Sequence, residues 1–195
     1  MHEDIICASS DFFKKAINGP WKESNERLIS LSHEEPDIFA IYLNWLYRGT
    51  LPTRIDEPGL IGNEEYLKLA KAYGLADRLL DQAFKNAVMD AFIDKTSSKT
   101  SDGHRWYPVG SVIRCIYENT PESSKGRTLL VDIYAENARK DWLTDWATRE
   151  DLPKQFLLDL ILRLFDISSG DDSRGNFKLT RCNYHDHDNG KSCEG

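Results

Sequence analysis

Near the C-terminal end of this chain stand four residues of metal-binding type, Cys182, His185, His187 and Cys193, in the pattern C-x2-H-x-H-x5-C. Thiolate sulfur and imidazole nitrogen are the ligands that Zn²⁺ prefers, and four of them close a tetrahedral structural site. In an extended segment alternate side chains share a side, so His185 and His187 can face one ion. The H-x-H spacing is not that of a zinc finger, and Asp188 and Gly190 give the segment the composition of a flexible tail. A Cys182–Cys193 disulfide is the alternative, which an intracellular setting disfavours. The metal reading is a structural Zn²⁺ with all four positions filled by Cys182, His185, His187 and Cys193. No other cofactor is expected.

No further pattern in the chain carries chemistry. There is no G-x-S-x-G elbow, no G-x-x-x-x-G-K-[ST] phosphate loop, no G-x-G-x-x-G and no H-E-x-x-H. The carboxylates lie in helix first turns or among Lys and Arg, as on solvated faces. No catalytic residue is assigned, and the chain reads as a non-enzyme; a small helical enzyme of unknown chemistry is the alternative from another class. His2 is read as a partly buried, hydrogen-bonded residue rather than as a ligand or base, since a lone histidine seldom acts without partners. Trp45, Tyr42 and Tyr47 belong to the expected core. Trp142 is assigned to the core as well, and Trp146 is left open between core and binding patch.

The elements that position these residues follow from composition and period. The chain has 195 residues, 40% hydrophobic and 29% charged, a globular balance. Its net charge of −7 argues against direct binding to nucleic acid or to an anionic membrane. The greasiest segment, FLLDLILRLF, is interrupted by Asp159 and Arg163 and falls short of the roughly 20 apolar residues of a membrane span. The N-terminus carries Glu3 and Asp4 in place of an apolar signal, and an intracellular protein, in cytoplasm or nucleus, is expected.

A short amphipathic helix is predicted from about Ser9 to Asn18, then a weak strand over residues 27–31. Pro36 opens and Gly49 closes a helix apolar on nearly every side, expected to be the central helix. Asn63 is placed as the cap of the next helix and Gly74 as its stop, with a second helix from Leu79 completing an antiparallel hairpin. Residues 94–104 are polar and read as a linker or mobile loop. Three more helical patterns follow, around Val109–Ile116, Leu130–Trp142 and from Pro153 onward.

The order of residues in the first half resembles one family. His2, Ile5, Ile6, Cys7, Ala8, Ser10, Phe12 and Phe13 look like the H-x-x-x-L-x-A-x-S-x-F-F signature of BTB/POZ domains. The block WKESNERLISLSHEEPDIFAIYLNWLYRGTL, with Tyr47-Arg48-Gly49 at its turn, is similar to the family's next segment. LAKAYGLADRLLDQAF resembles its final helical pair, with Ala70, Tyr73, Leu75 and Leu79 at packing positions. The C-terminal half is similar to extensions of short BTB proteins from filamentous fungi.

The resemblance implies a mostly α fold of the α+β family: a BTB/POZ-like helical body with little or no remaining sheet, plus a C-terminal helical extension. The family opens with two strands ahead of the histidine, and the sequence has no residues there; a shortened domain and a start lying upstream both stay open. The expected division is residues 1–94 as the BTB/POZ-like domain, 95–107 as linker, 108–168 as helical region and 169–195 as polar tail. The implied function is a protein–protein interaction module, an adaptor or oligomerisation protein, with other proteins, itself or a cullin scaffold as partner. A substrate adaptor for a cullin-based ubiquitin ligase is the alternative.

Overall fold

A computed structural model gives the fold, and it describes residues 2–20, 24, 26, 28–144, 152–169, 179–187 and 193. The described elements are helices, and no strand occurs among the described residues. The mostly α fold class is therefore what the chain adopts.

The chain is helical from its first described residues. Helices α1 (Glu3–Ser9) and α2 (Asp11–Asn18) meet at Ser10, where the backbone turns extended, with φ −109° and ψ 118°. The single helix expected from Ser9 is thus the second arm of an elbow. Its break is a cap: the Ser10 hydroxyl accepts from the Phe13 N–H at 3.2 Å, satisfying one of the helix's orphan donors. Residues 28–31, expected as a strand, run as irregular chain with Leu28 exposed to solvent. A strand here has no second strand to take up its backbone groups, and four residues of alternating pattern do not outweigh that.

Helix α3 (Pro36–Arg48) starts at its proline and stops at Gly49, whose φ of +68° is the left-handed conformation glycine adopts without strain. It is not the central helix. Only Ile38, Ile41 and Tyr42 are buried, Phe39, Trp45 and Leu46 are partly covered, and Tyr47 is exposed. That place belongs to α4 (Gly59–Arg78), which buries eleven residues and packs against α3, α5 (Gln82–Ser97) and α6 (Gly110–Asn119). Large side chains all round α3 suggested burial, but Ala70, Ala72, Gly74 and Ala76 let neighbours close on α4 from several sides.

Gly74 illustrates the difference. It lies inside α4, where a Cβ would stand 3.1 Å from the Asn119 Cβ of α6, so it serves helix approach and not termination. Asn63 is likewise internal, its side chain accepting from the Val109 N–H at 3.1 Å. The real hairpin turn is Leu79–Leu80–Asp81, with Leu80 at φ 51°. Ala70, Tyr73, Leu75 and Leu79 are all buried, as the family pattern requires.

Residues 95–107 hold to the body. α5 continues to Ser97, the Lys95 ammonium pairs with Glu65 at 2.9 Å in a site from which both are almost fully excluded from solvent, and Tyr66 Oη donates to the Trp106 carbonyl at 2.9 Å. Beyond it come α6, α7 (Lys125–Asn137), α8 (Lys140–Thr144) and α9 (Lys154–Ser168). The pattern from Leu130 to Trp142 is two helices, because Ala138 is extended at ψ 141°. Trp142 packs between Tyr107 and Tyr134 at ring distances of 5.1 and 5.4 Å, partly covered by the core; Trp146 lies outside the described residues. One apolar cluster runs from Ile6 through α4 and α7 to Phe156, Leu160 and Tyr184. Among the described residues, no helix is long and apolar enough to cross a membrane.

Candidate functional site

Three places gather the residues singled out by type. The first is the α1–α2 elbow. Ser10 also donates to the Leu79 carbonyl at 2.5 Å, and the Phe12 N–H donates to the same carbonyl at 3.3 Å, so the elbow grips the α4–α5 turn. Asp81 caps α5 by accepting from the Phe84 N–H at 2.9 Å. Its second oxygen accepts from the Ser9 hydroxyl at 2.5 Å and from Tyr42 Oη at 3.0 Å. One buried carboxylate thereby joins α1, α3 and α5. Burial first, then the neighbouring Asp81 charge, pushes the Tyr42 phenol well above its ordinary pKa, so it stays a donor. Of the signature residues Ile6 and Phe13 are buried in this elbow, whereas Ile5 is 39% exposed. His2 is exposed, not partly buried. Its backbone N–H donates to Tyr47 Oη at 2.8 Å and its Nδ1 lies 3.2 Å from the same oxygen.

The second place is the C-terminal segment on the outer face of α5, where the four Cys and His residues lie. A short helix α10 (Arg181–Tyr184) leads into it. Tyr184 is buried, its hydroxyl donating at 2.9 Å to Asp132, which also receives Arg163 of α9 at 2.7 Å. Asn86 pairs twice with the backbone of Asp186, each contact 3.0 Å, and Lys85 bridges the carboxylates of Asp77 and Asp186 at 2.6 and 2.7 Å. Burial opposes the Lys85 charge, but the hydrogen bonds it donates to Asp186 and Asp77 outweigh it and hold the pKa above the usual lysine range. Arg181 reaches Asp94 at 2.6 Å.

On this base the Cys182 sulfur, His187 Nε2 and the Cys193 sulfur all lie within 4.8 Å of one another. Cys182 Sγ is 3.3 Å and Cys193 Sγ 3.7 Å from His187 Nε2. His185 stands beside this trio: its Nδ1 is 3.1 Å from Cys193 Sγ, and its Nε2 is 2.8 Å from an Asp90 oxygen. Hydrogen bonds from the Cys193 backbone and side chain, with His187 beside it, draw the Cys182 thiol below its ordinary pKa, while Cys193 is raised. All four cysteines are free thiols. A soft ligand set of two thiols and two imidazoles is chemically suited to a tetrahedral cation. Asp90 is the participant that no sequence signal marked, because nothing in residues 82–97 tells that a segment about 100 positions away settles on them.

The third place is the outward side of α9. Leu158, Ile161, Leu162 and Phe165 are 44, 48, 63 and 65% exposed, and their spacing of three, four and seven puts them on one stripe. The two charges that interrupt this segment in the sequence are turned away from the stripe. Asp159 accepts from Tyr117 Oη at 2.7 Å, and Arg163 is buried on Asp132.

No curated protein and no solved structure matches the chain. The BTB/POZ domain family model matches residues 1–85, which takes in the elbow, α3, α4 and the Asp81 hub that joins them. BTB/POZ domains are protein-interaction and self-association modules. The match places a BTB/POZ domain in the N-terminal part of the chain, over residues 1–85.

Proposed function

We propose that this protein is an adaptor that captures a protein partner through the exposed apolar stripe of α9, with the BTB/POZ body as its platform. The observation that carries the reading is that stripe. A surface of four large apolar side chains with no charge among them is unfavourable in water, at about 25 cal/mol per Å² left uncovered. Its i, i+3, i+4, i+7 spacing is the form that an amphipathic helix of a partner recognises. On this reading the chain acts by binding and not by turnover, and its body supplies rigidity.

The test is recovery of partners from cells by wild type and by the double variant Leu162→Glu/Phe165→Glu. Both positions are exposed, so the variant should keep its stability to within about 0.5 kcal/mol while losing the partner that wild type holds. An identical set of bound proteins for both would remove α9 from the reading. The identity of the captured protein decides the finer role: a cullin among the proteins lost on substitution makes the chain a ubiquitin-ligase adaptor, and a second copy of the chain makes it an oligomerisation scaffold.

A further inference from the structure

We propose that Cys182, His187 and Cys193, with His185 as the fourth ligand, form a structural zinc site that fastens the C-terminal segment onto the outer face of α5, with Asp90 orienting His185. The proposal stands independently of the α9 reading, since it concerns a different face and different chemistry.

The distances fit the ion. With Zn–S near 2.3 Å and Zn–N near 2.05 Å, a tetrahedral angle puts a ligating sulfur and nitrogen about 3.6 Å apart. The sulfur–nitrogen separations here are 3.3 Å for Cys182 to His187, 3.7 Å for Cys193 to His187 and 3.1 Å for Cys193 to His185. The half-buried Cys182 thiol, the exposed Cys193 thiol and the His187 imidazole cluster within 4.8 Å of one another, with His185 set against Cys193 at 3.1 Å.

The surroundings are those of a metal site too. A ligating histidine usually gives its other ring nitrogen to a carboxylate, which fixes the tautomer and turns the ring. His185 has that arrangement: Nε2 lies 2.8 Å from Asp90, leaving Nδ1 facing the sulfur of Cys193. The base is preorganised as well, because Arg181, Tyr184 and Asp186, which alternate with Cys182, His185 and His187, anchor the segment to Asp94, to Asp132, and to Asn86 and Lys85. The ligand set selects Zn²⁺ over Mg²⁺ or Ca²⁺, which take oxygen ligands. On binding, the Cys182 and Cys193 thiols give up their protons to solvent and both sulfurs coordinate as thiolates.

The experiment uses the full chain without a polyhistidine tag, purified in the presence of a mild reductant. Zinc is measured by elemental analysis, and Co²⁺ replaces it as a spectroscopic probe. The expected result is one zinc per chain, with a thiolate-to-cobalt charge-transfer band and the strong visible bands of tetrahedral cobalt. Cys182→Ser and Cys193→Ser should each remove the charge-transfer intensity of one sulfur and lower zinc retention. Asp90→Asn, which leaves every ligand in place, should weaken zinc binding about 10- to 100-fold at unchanged stoichiometry. Chelation should raise the hydrogen-exchange rate of the amides of residues 181–187 and leave that of α4 unchanged. Equal zinc content in wild type and both serine variants, a cobalt complex without a thiolate band, or a Cys182–Cys193 disulfide in the purified protein would each overturn the proposal.

Discussion

Replacing Asp81 by alanine is the sharpest test of how the elbow is held. The carboxylate is 1% exposed and takes three hydrogen bonds, from the Phe84 N–H at 2.9 Å, the Ser9 hydroxyl at 2.5 Å and Tyr42 Oη at 3.0 Å. Loss of the N-cap costs about 1 kcal/mol. Tyr42 is fully buried, and its hydroxyl left without an acceptor costs a further ~1–3 kcal/mol, while half-buried Ser9 adds about 1 kcal/mol or less. The sum is about 2–5 kcal/mol, against a total stability of about 5–15 kcal/mol for a domain. At about 2–4 °C per kcal/mol for a chain of this size, Tm should fall by roughly 4–20 °C. Urea unfolding of wild type, Asp81→Ala, Tyr42→Phe and the double variant measures it. The two losses should be less than additive, by about 1 kcal/mol or more, since each removes the same bond. Asp81→Asn retains an acceptor for the cap and should cost about 1 kcal/mol. A loss under about 1 kcal/mol for Asp81→Ala, or strict additivity with Tyr42→Phe, would refute the hub.

Two other outcomes follow from buried groups. Lys95 and Glu65 form an ion pair with side chains only 5 and 7% exposed, so Lys95→Met or Glu65→Leu should each cost about 3–5 kcal/mol by chemical denaturation, because each leaves the opposite charge buried. The double variant should recover the loss due to the unpaired charge but stay about 1–3 kcal/mol below wild type, because the Ile55 N–H and carbonyl lose Glu65 and Lys95 as partners; two singles costing under about 1 kcal/mol each would show that the pair is solvated. Burial also raises the phenols of Tyr42, Tyr66, Tyr73, Tyr117 and Tyr134 above their ordinary pKa, with a second push from the Asp81 and Asp159 carboxylates at Tyr42 and Tyr117. A folded-state pKa raised above the unfolded value of about 10 gives stability that is complete below pH 10 and lost as pH climbs beyond it. Ultraviolet titration should therefore show these phenols ionising together with loss of helix above pH 10; smooth ionisation near pH 10 with the helices intact would contradict their burial.

The sequence conveyed the helices through period and punctuation, and it misled where one residue type serves two purposes. Pro36 and Gly49 bound α3 as local chemistry predicts, since both act through their own backbone angles. Gly74 carries the same letter as Gly49 but is present for want of a side chain, a fact that resides in Asn119 and not in its neighbours. Large apolar residues made α3 look central, while the small residues that allow α4 to be surrounded gave a weaker apolar signal. The Cys and His residues were visible by type, and the structure brings three of them together with the fourth alongside. Asp90, Asn86 and Lys85 were not visible, because polar residues on a helix face look alike whether they meet water or a distant segment of chain.

That last ambiguity bears on where a partner can bind. Helix α5 turns Phe84, Val88 and Phe92 to the core and Lys85, Asn86, Asp90 and Asp94 outward. The outward set is engaged by the C-terminal segment through ion pairs and a two-point backbone match. A partner approaching that face would have to displace these bonds and desolvate several charges, which is unfavourable unless every one is replaced. The stripe on α9 has the opposite character. Its apolar side chains lose nothing but contact with water when covered, and Arg163 behind it is already neutralised by Asp132. Asp132 also holds Tyr184, so the carboxylate that keeps a charge away from the α9 stripe is the one that seats the C-terminal segment. Seating that segment and presenting an uncharged docking face are thus two consequences of one buried carboxylate.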